Sequence, residues 1–214
     1  MEPLSANFHR AAASYSTITL FEEQHHDVDA AVLHELAKMF VRHKLHEDFG
    51  ISLLHRHDDI ANDLVMVHTR SLEEDRQVDR CRPEILGLRP IFPILFFLYG
   101  QREYLPYEFS AHIPKQSTQT PNKEFLEEFA SFLQNRRLED TLGLFRREGP
   151  EEHWLEQTLP QDTGTIATIT ALDNVVGCVA TRWIFVRTEQ TILVKTVADC
   201  IPTSSAGHDR PPPK

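Results

Sequence analysis

Two stretches whose apolar residues recur three and four positions apart, about Val28 to Glu47 and Lys123 to Arg137, frame this chain, because what lies between and after them is patterned for strands. In the first, Val28, Val32, Leu36, Met39 and Phe40 form a stripe that His43 and His46 continue, and Gly50 supplies a stop signal. In the second, Asn122 stands as N-cap and Leu126, Phe129 and Leu133 make the stripe. Glu124, Glu127 and Glu128 precede Arg136 and Arg137 there, the order a helix dipole favours.

Around these helices the strand signals fall in groups. Tyr15 to Leu20 suits a short strand. Ile51 to His57 and Leu64 to Arg70 read as an antiparallel hairpin about a polar turn at 58–63, and the charged stretch Ser71 to Pro83 reads as a surface excursion. Ile94 to Tyr99 suits a buried strand with Glu103 to Ser110 as its partner, Pro106 marking an edge or a bend. Leu142 to Arg146 and Trp154 to Thr158 are weaker strand signals. Thr165 to Thr170, Val175 to Arg187 and Thr191 to Ala198 are rich in Thr, Val and Ile, with a turn at 172–174 between the first two. This order lacks regular βαβ alternation. It predicts an α+β fold, a single domain over residues 1–202 with a mainly antiparallel sheet and two principal helices, followed by a flexible Pro-rich tail over 203–214.

The 32 acidic residues against 22 basic ones leave a net charge of -10, which repels phosphate backbones. Arg136-Arg137 and Arg146-Arg147 supply too little positive surface for nucleic acid, and membrane surfaces are disfavoured on the same ground. Ile91 to Tyr99, the most apolar segment, is too short to cross a bilayer as a helix. Cys81, Cys178 and Cys200 lack metal-knuckle spacing, and the amino end lacks the basic-then-apolar pattern of a signal peptide. The expectation is a cytoplasmic protein with free thiols.

Seven of the twelve histidines lie between His34 and His112. Two-residue spacing in a strand points His55 and His57 out of one face. With Leu64 opposite His57, His68 joins that face about 7 Å from His55 at the backbone, and a register change of one residue removes it. Neutral imidazole binds Zn, Fe, Ni or Cu while its second nitrogen is oriented by a partner. His55, His57, His68 and, from the helix end, His46 are therefore candidate ligands for a divalent transition metal, with Asp58 in support. The same His55, His57 and Asp58 would serve acid-base catalysis near neutral pH without a metal. A third reading packs these rings in the core, satisfied by hydrogen bonds. Tyr99, Tyr104, Tyr107 and Trp183 are candidates to line a small apolar pocket.

The His-x-His strand resembles the metal-binding half of a cupin. It departs from that family in its glycine spacing, in lacking the Glu after the second His and in having no second motif, so no role is carried over. His34-Glu35 is followed by Lys38 where a zinc-protease helix needs its second His, and no Gly-rich phosphate loop occurs. The run Phe49-Gly50-Ile51-Ser52-Leu53-Leu54-His55-Arg56-His57, with the strand at Leu64 to Val67 and the late Thr181-Arg182-Trp183, resembles uncharacterised small proteins of fungal genomes, which implies no activity. Two function classes stay open. One is an enzyme acting on a small molecule by lyase, hydrolase or isomerase chemistry. The other is a binding or scaffolding protein with structural histidines, using the exposed edge of its C-terminal strands, and Val175 to Ala198 also offers a surface for homodimerisation.

Overall fold

Ten strands hydrogen-bond side by side until the last meets the first, closing a barrel. The computed structural model describes residues 8–23, 27–101, 103–112, 120–148, 152–159, 163–170 and 177–201. The expected Pro-rich tail at 203–214 and turn at 172–174 lie outside them. In chain order the strands are β1 (Phe49–Leu53), β2 (Leu64–Glu73), β3 (Arg76–Ile85), β4 (Phe92–Tyr99), β5 (Glu103–Ser110), β6 (Leu142–Arg146), β7 (Trp154–Thr158), β8 (Thr165–Ile169), β9 (Val179–Arg187) and β10 (Ile192–Cys200). Around the barrel they run β1-β6-β4-β5-β2-β3-β8-β7-β10-β9, and β9 pairs again with β1. The β2/β5 and β7/β10 pairs are parallel, and the other named pairs are antiparallel. The domain is thus α+β with a largely antiparallel sheet.

Strand alternation divides the apolar residues into an outer and an inner set. Outward from β1, β6 and β9 point Ile51, Leu53, Leu142, Leu144, Trp183 and Phe185, which pack under the helices α2 (Ala30–Arg42) and α3 (Lys123–Arg136). Phe40 of α2 meets Phe125 and Phe129 of α3 edge-on, at ring-centroid distances of 5.0 and 6.1 Å. Inward point Leu54, Met66, Leu95, Phe97, Tyr107, Phe145 and Ile184. A third helix, α1 (Phe8–Tyr15), covers β2 and β5 through Ala11, Ala12, Val65, Val67 and Phe109, then turns Tyr15 into the inner set. Gly50 lies where β1 passes so close to β9 that a Cβ would collide with the Trp183 carbonyl and the Phe145 ring.

Several expectations are corrected. The first helix runs from Ala30 to Arg42, not to Glu47. Lys44 takes the left-handed conformation with φ 60° and the Leu45 amide returns to the Phe40 carbonyl at 2.9 Å, so a Schellman turn ends it and Gly50 belongs to a strand. Tyr15 ends a helix, and Leu20 makes only an isolated bridge to Arg56. The expected hairpin does not form: β1 pairs with β6 and β9, while β2 pairs with β3 and β5. The stretch read as a surface excursion is β3, joined to β2 by Glu74 and Asp75, both at positive φ as a tight hairpin turn requires. Its alternation is concealed because its inward residue Asp79, which faces Arg70 of β2, is itself charged. Both β9 and β10 are paired on two sides, so the C-terminal edge expected to take a partner is occupied. Among the described residues, no helix is long and apolar enough to cross a membrane.

Candidate metal and acid-base site

Beyond the last residue of β1 the chain is held in an irregular path across one end of the barrel. Arg56 fixes it, exchanging backbone hydrogen bonds with Thr19 and Phe21 at 3.0 and 2.9 Å and donating from Nε to the Ile18 carbonyl at 2.6 Å. The residues on either side, His55 and His57, are thereby brought edge to face with ring centroids 4.9 Å apart, and both rest on Phe21. His55 Nδ1 donates to the Leu53 carbonyl at 3.0 Å, leaving Nε2 as the lone-pair nitrogen. Burial, reinforced by neighbouring His57, lowers the His55 pKa to about 4, so this ring is neutral at ordinary pH, the form that ligates metals.

His57 faces two residues from far along the chain. Its Nε2 lies 3.5 Å from Cys200 Sγ and 3.8 Å from Glu156 Oε1. Parallel pairing of β7 with β10 sets Glu156 beside Cys200. Thr158 Oγ1 lies 2.9 Å from His57 Nδ1, and Thr165 Oγ1 donates to Glu156 Oε1 at 2.7 Å. One ligand atom from each of His55, His57, Glu156 and Cys200 lies within 4.8 Å of the other three, a grouping that could hold a metal ion. Burial would raise the Glu156 pKa, but His57, Arg182 and His55 together hold it down to about 2, while burial drives the Cys200 thiol well above its usual range. A cation at this point would reverse the second effect, because metal binding requires the thiolate and releases its proton.

His68 belongs to a different cluster in the same lumen. Its Nε2 lies 2.8 Å from Glu108 Oε2 and its Nδ1 3.2 Å from Asp79 Oδ1, so both ring nitrogens face carboxylates. Burial alone would lower its pKa; Cys81 and Asp79 outweigh that and raise it well above the usual value, while Asp79 is held far down by His68 and Arg70 against its own burial. His68 is therefore an imidazolium clasped by two acids. Donor atoms of His68, Cys81 and Glu108 also lie within 4.8 Å of one another, a second grouping that could hold a metal ion. The chain of charges continues from Asp79 to Arg70 Nε at 3.2 Å and from Arg70 Nη2 to Glu148 at 2.9 Å. A small cavity of about 20 Å³, room for about one water, touches both clusters, bordered by Glu156, Thr165, Arg182, His68, Asp79 and Arg70.

The other candidates separate. His46 sits in the turn before β1, its carbonyl accepting from Arg147, and lines a surface depression beside the β9–β10 turn instead of the lumen. Asp58 accepts from the Gly164 amide at 2.7 Å and so ties the loop to β8 instead of orienting His57. Of the four aromatic pocket candidates, Tyr107 points inward. Tyr104 donates to the Leu126 carbonyl in the outer layer, Trp183 packs under the helices, and Tyr99 is 41% exposed with Arg10 over its ring. Their shared pocket does not form because neighbouring strand positions face opposite sides of the wall. Glu156, Thr158 and Thr165 carry no local motif; only the pairing of distant strands brings them to His57. No family model, characterised protein or solved structure matches this chain.

Proposed function

We propose that the protein is a small-molecule enzyme with a divalent transition metal held by His55, His57, Glu156 and Cys200 at the end of its barrel beyond the last residue of β1. The observation that carries this reading is the convergence of those four donors within 4.8 Å from three separate parts of the chain. Two imidazoles, a thiolate and a carboxylate suit zinc, and Thr158 behind His57 supplies the outer partner that orients a ligating ring. Glu156 also borders the lumen cavity, so its shift away from the metal would admit a substrate oxygen there. The metal would polarise a carbonyl or activate water. His68, held protonated, is the proton donor within the same cavity, and the Arg182 guanidinium answers negative charge that develops on the substrate. Lyase, hydrolase and isomerase chemistry all draw on this set. The three free cysteines suit a reducing, cytoplasmic setting.

A second reading has an observation of its own. Four protein donors complete a tetrahedral shell, which is the form of structural zinc, and the barrel would then bind its ligand without turning it over. Cobalt-loaded protein separates the two. A sulfur-to-cobalt charge-transfer band that disappears in Cys200→Ser is expected under both. A change in the cobalt spectrum on adding azide requires an exchangeable position and supports the enzyme; an unchanged spectrum supports the structural site. Failure of the full chain to bind zinc or cobalt would overturn both.

A further inference from the structure

Three strands that lie side by side in the wall, β5, β2 and β3, contribute the donors of the second grouping. His68 of β2 stands directly across from Cys81 of β3 in the antiparallel register, and the parallel pairing of β2 with β5 sets Glu108 beside Met66, one inward position before His68. One donor atom from each lies within 4.8 Å of the other two, and all three residues are buried. Each backbone is fixed in a hydrogen-bonded ladder, so the grouping is built into the wall and not into a loop.

The ring is oriented as a ligand is. Its Nδ1 lies 3.2 Å from Oδ1 of Asp79, one inward position before Cys81 on β3, and an acid behind a histidine is the outer partner that fixes a ligating ring. Its Nε2 lies 2.8 Å from Glu108 Oε2. Two such donors on a tetrahedral zinc stand about 3.3 Å apart, so ring and acid need part by only about 0.5 Å for an ion to enter between them. Glu108 does not then compete for the nitrogen: it becomes the ion's second ligand, and the Cys81 thiolate its third.

We infer that His68 Nε2, Cys81 Sγ and the Glu108 carboxylate form a second site for a divalent transition metal, with zinc the best match to one nitrogen, one sulfur and one oxygen donor. Entry of the ion releases the protons of the ring and the thiol to solvent. Three protein donors leave one position for water, and Arg182 Nη2, 3.7 Å from Glu108 Oε2, opposes a further cation. Both features make this site weaker than the four-donor one, so it fills after the first is occupied. The site stands without the function proposed above; on that reading, filling it removes the proton assigned to His68, and metal beyond one equivalent inhibits.

The test is titration of cobalt into the full chain stripped of metal by chelator, followed by equilibrium dialysis and by the sulfur-to-cobalt charge-transfer band. Wild-type protein is expected to take two equivalents, with the band growing in two steps. Cys81→Ser should remove the second step and keep the first, and Cys200→Ser should remove the first and keep the second; Cys81→Ala repeats the first of these arms should the buried hydroxyl disturb folding. Asp79→Asn, which changes no ligand, should weaken the second step about 10- to 100-fold and leave the first unmoved. A second step that survives loss of the Cys81 sulfur, or no cobalt uptake by folded wild-type protein, would overturn the inference. A single equivalent whose band is unchanged by Cys81→Ser overturns this site and keeps the centre proposed above, whereas a single equivalent whose band is lost in Cys81→Ser overturns that centre and keeps this site.

Discussion

Two histidine clusters share the lumen of this barrel, and their difference lies in what the two nitrogens of each ring face. Beyond β1, His55 spends one nitrogen on a backbone carbonyl and His57 one on Thr158, so each keeps its Nε2 toward the group that includes Glu156 and Cys200. Deeper in the lumen, His68 faces a carboxylate with each nitrogen. The first two rings each keep a nitrogen not spent on a backbone or hydroxyl partner, whereas the second cluster's ring meets an acid on both sides. A ring offers a metal a ligand through a nitrogen that is not already spent on another partner.

The largest effect that would sharpen this contrast is the loss of His68. His68→Leu leaves Asp79 and Glu108 buried against each other without their shared cation, and roughly 3–5 kcal/mol of stability should be lost in urea denaturation. In metal-free protein, His57→Ala should cost less, about 1–2 kcal/mol, while abolishing stoichiometric zinc binding. Equal stability losses from the two variants would erase the distinction.

Next in size is the outer partner of the ligating ring. Thr158→Val removes the hydroxyl behind His57, and zinc affinity measured by chelator competition should fall about 10- to 100-fold with the fold intact. Unchanged affinity would mean that His57 is not a ligand.

The pH dependence distinguishes the clusters in another way. The His68 pKa is raised on folding, so its contribution is complete below about 6.5 and is lost as pH climbs through its higher folded value. The Asp79 pKa is depressed, so its contribution is present above about 3.9 and is lost as pH falls through its lower folded value. Stability of the wild type relative to His68→Leu should therefore be greatest in the mildly acidic range and decline on the alkaline side. A difference that grows toward alkaline pH would contradict an ionised His68. Smallest of all, Asp58→Asn weakens one bond to the Gly164 amide and should cost about 1 kcal/mol without changing zinc affinity.

Much of the helical layer was legible in the chain because its cause is local. Asn122 accepts from the Phe125 amide as an N-cap should, and Phe129 and Leu133 are buried on the predicted stripe. The β2–β3 hairpin was hidden for a physical reason. A barrel with a charged lumen puts Arg70 and Asp79 on its inner face, and hydrophobic alternation cannot mark a strand whose inward side is ionic. The candidate site divides along the same line. His55 and His57 are neighbours by spacing alone, whereas Glu156 and Cys200 join them through a parallel pairing between residues 44 positions apart and then a bend around the barrel. His68 was drawn to the wrong group by a hairpin that the fold does not form.

X-ray absorption spectroscopy of the zinc-loaded full chain tests the central claim most directly. The account predicts a four-coordinate shell with one sulfur at about 2.3 Å and nitrogen and oxygen neighbours at about 2.0–2.2 Å, two of them imidazoles, with the sulfur lost in Cys200→Ser. A shell of oxygen and nitrogen alone, unchanged in that variant and in His57→Ala, would contradict it.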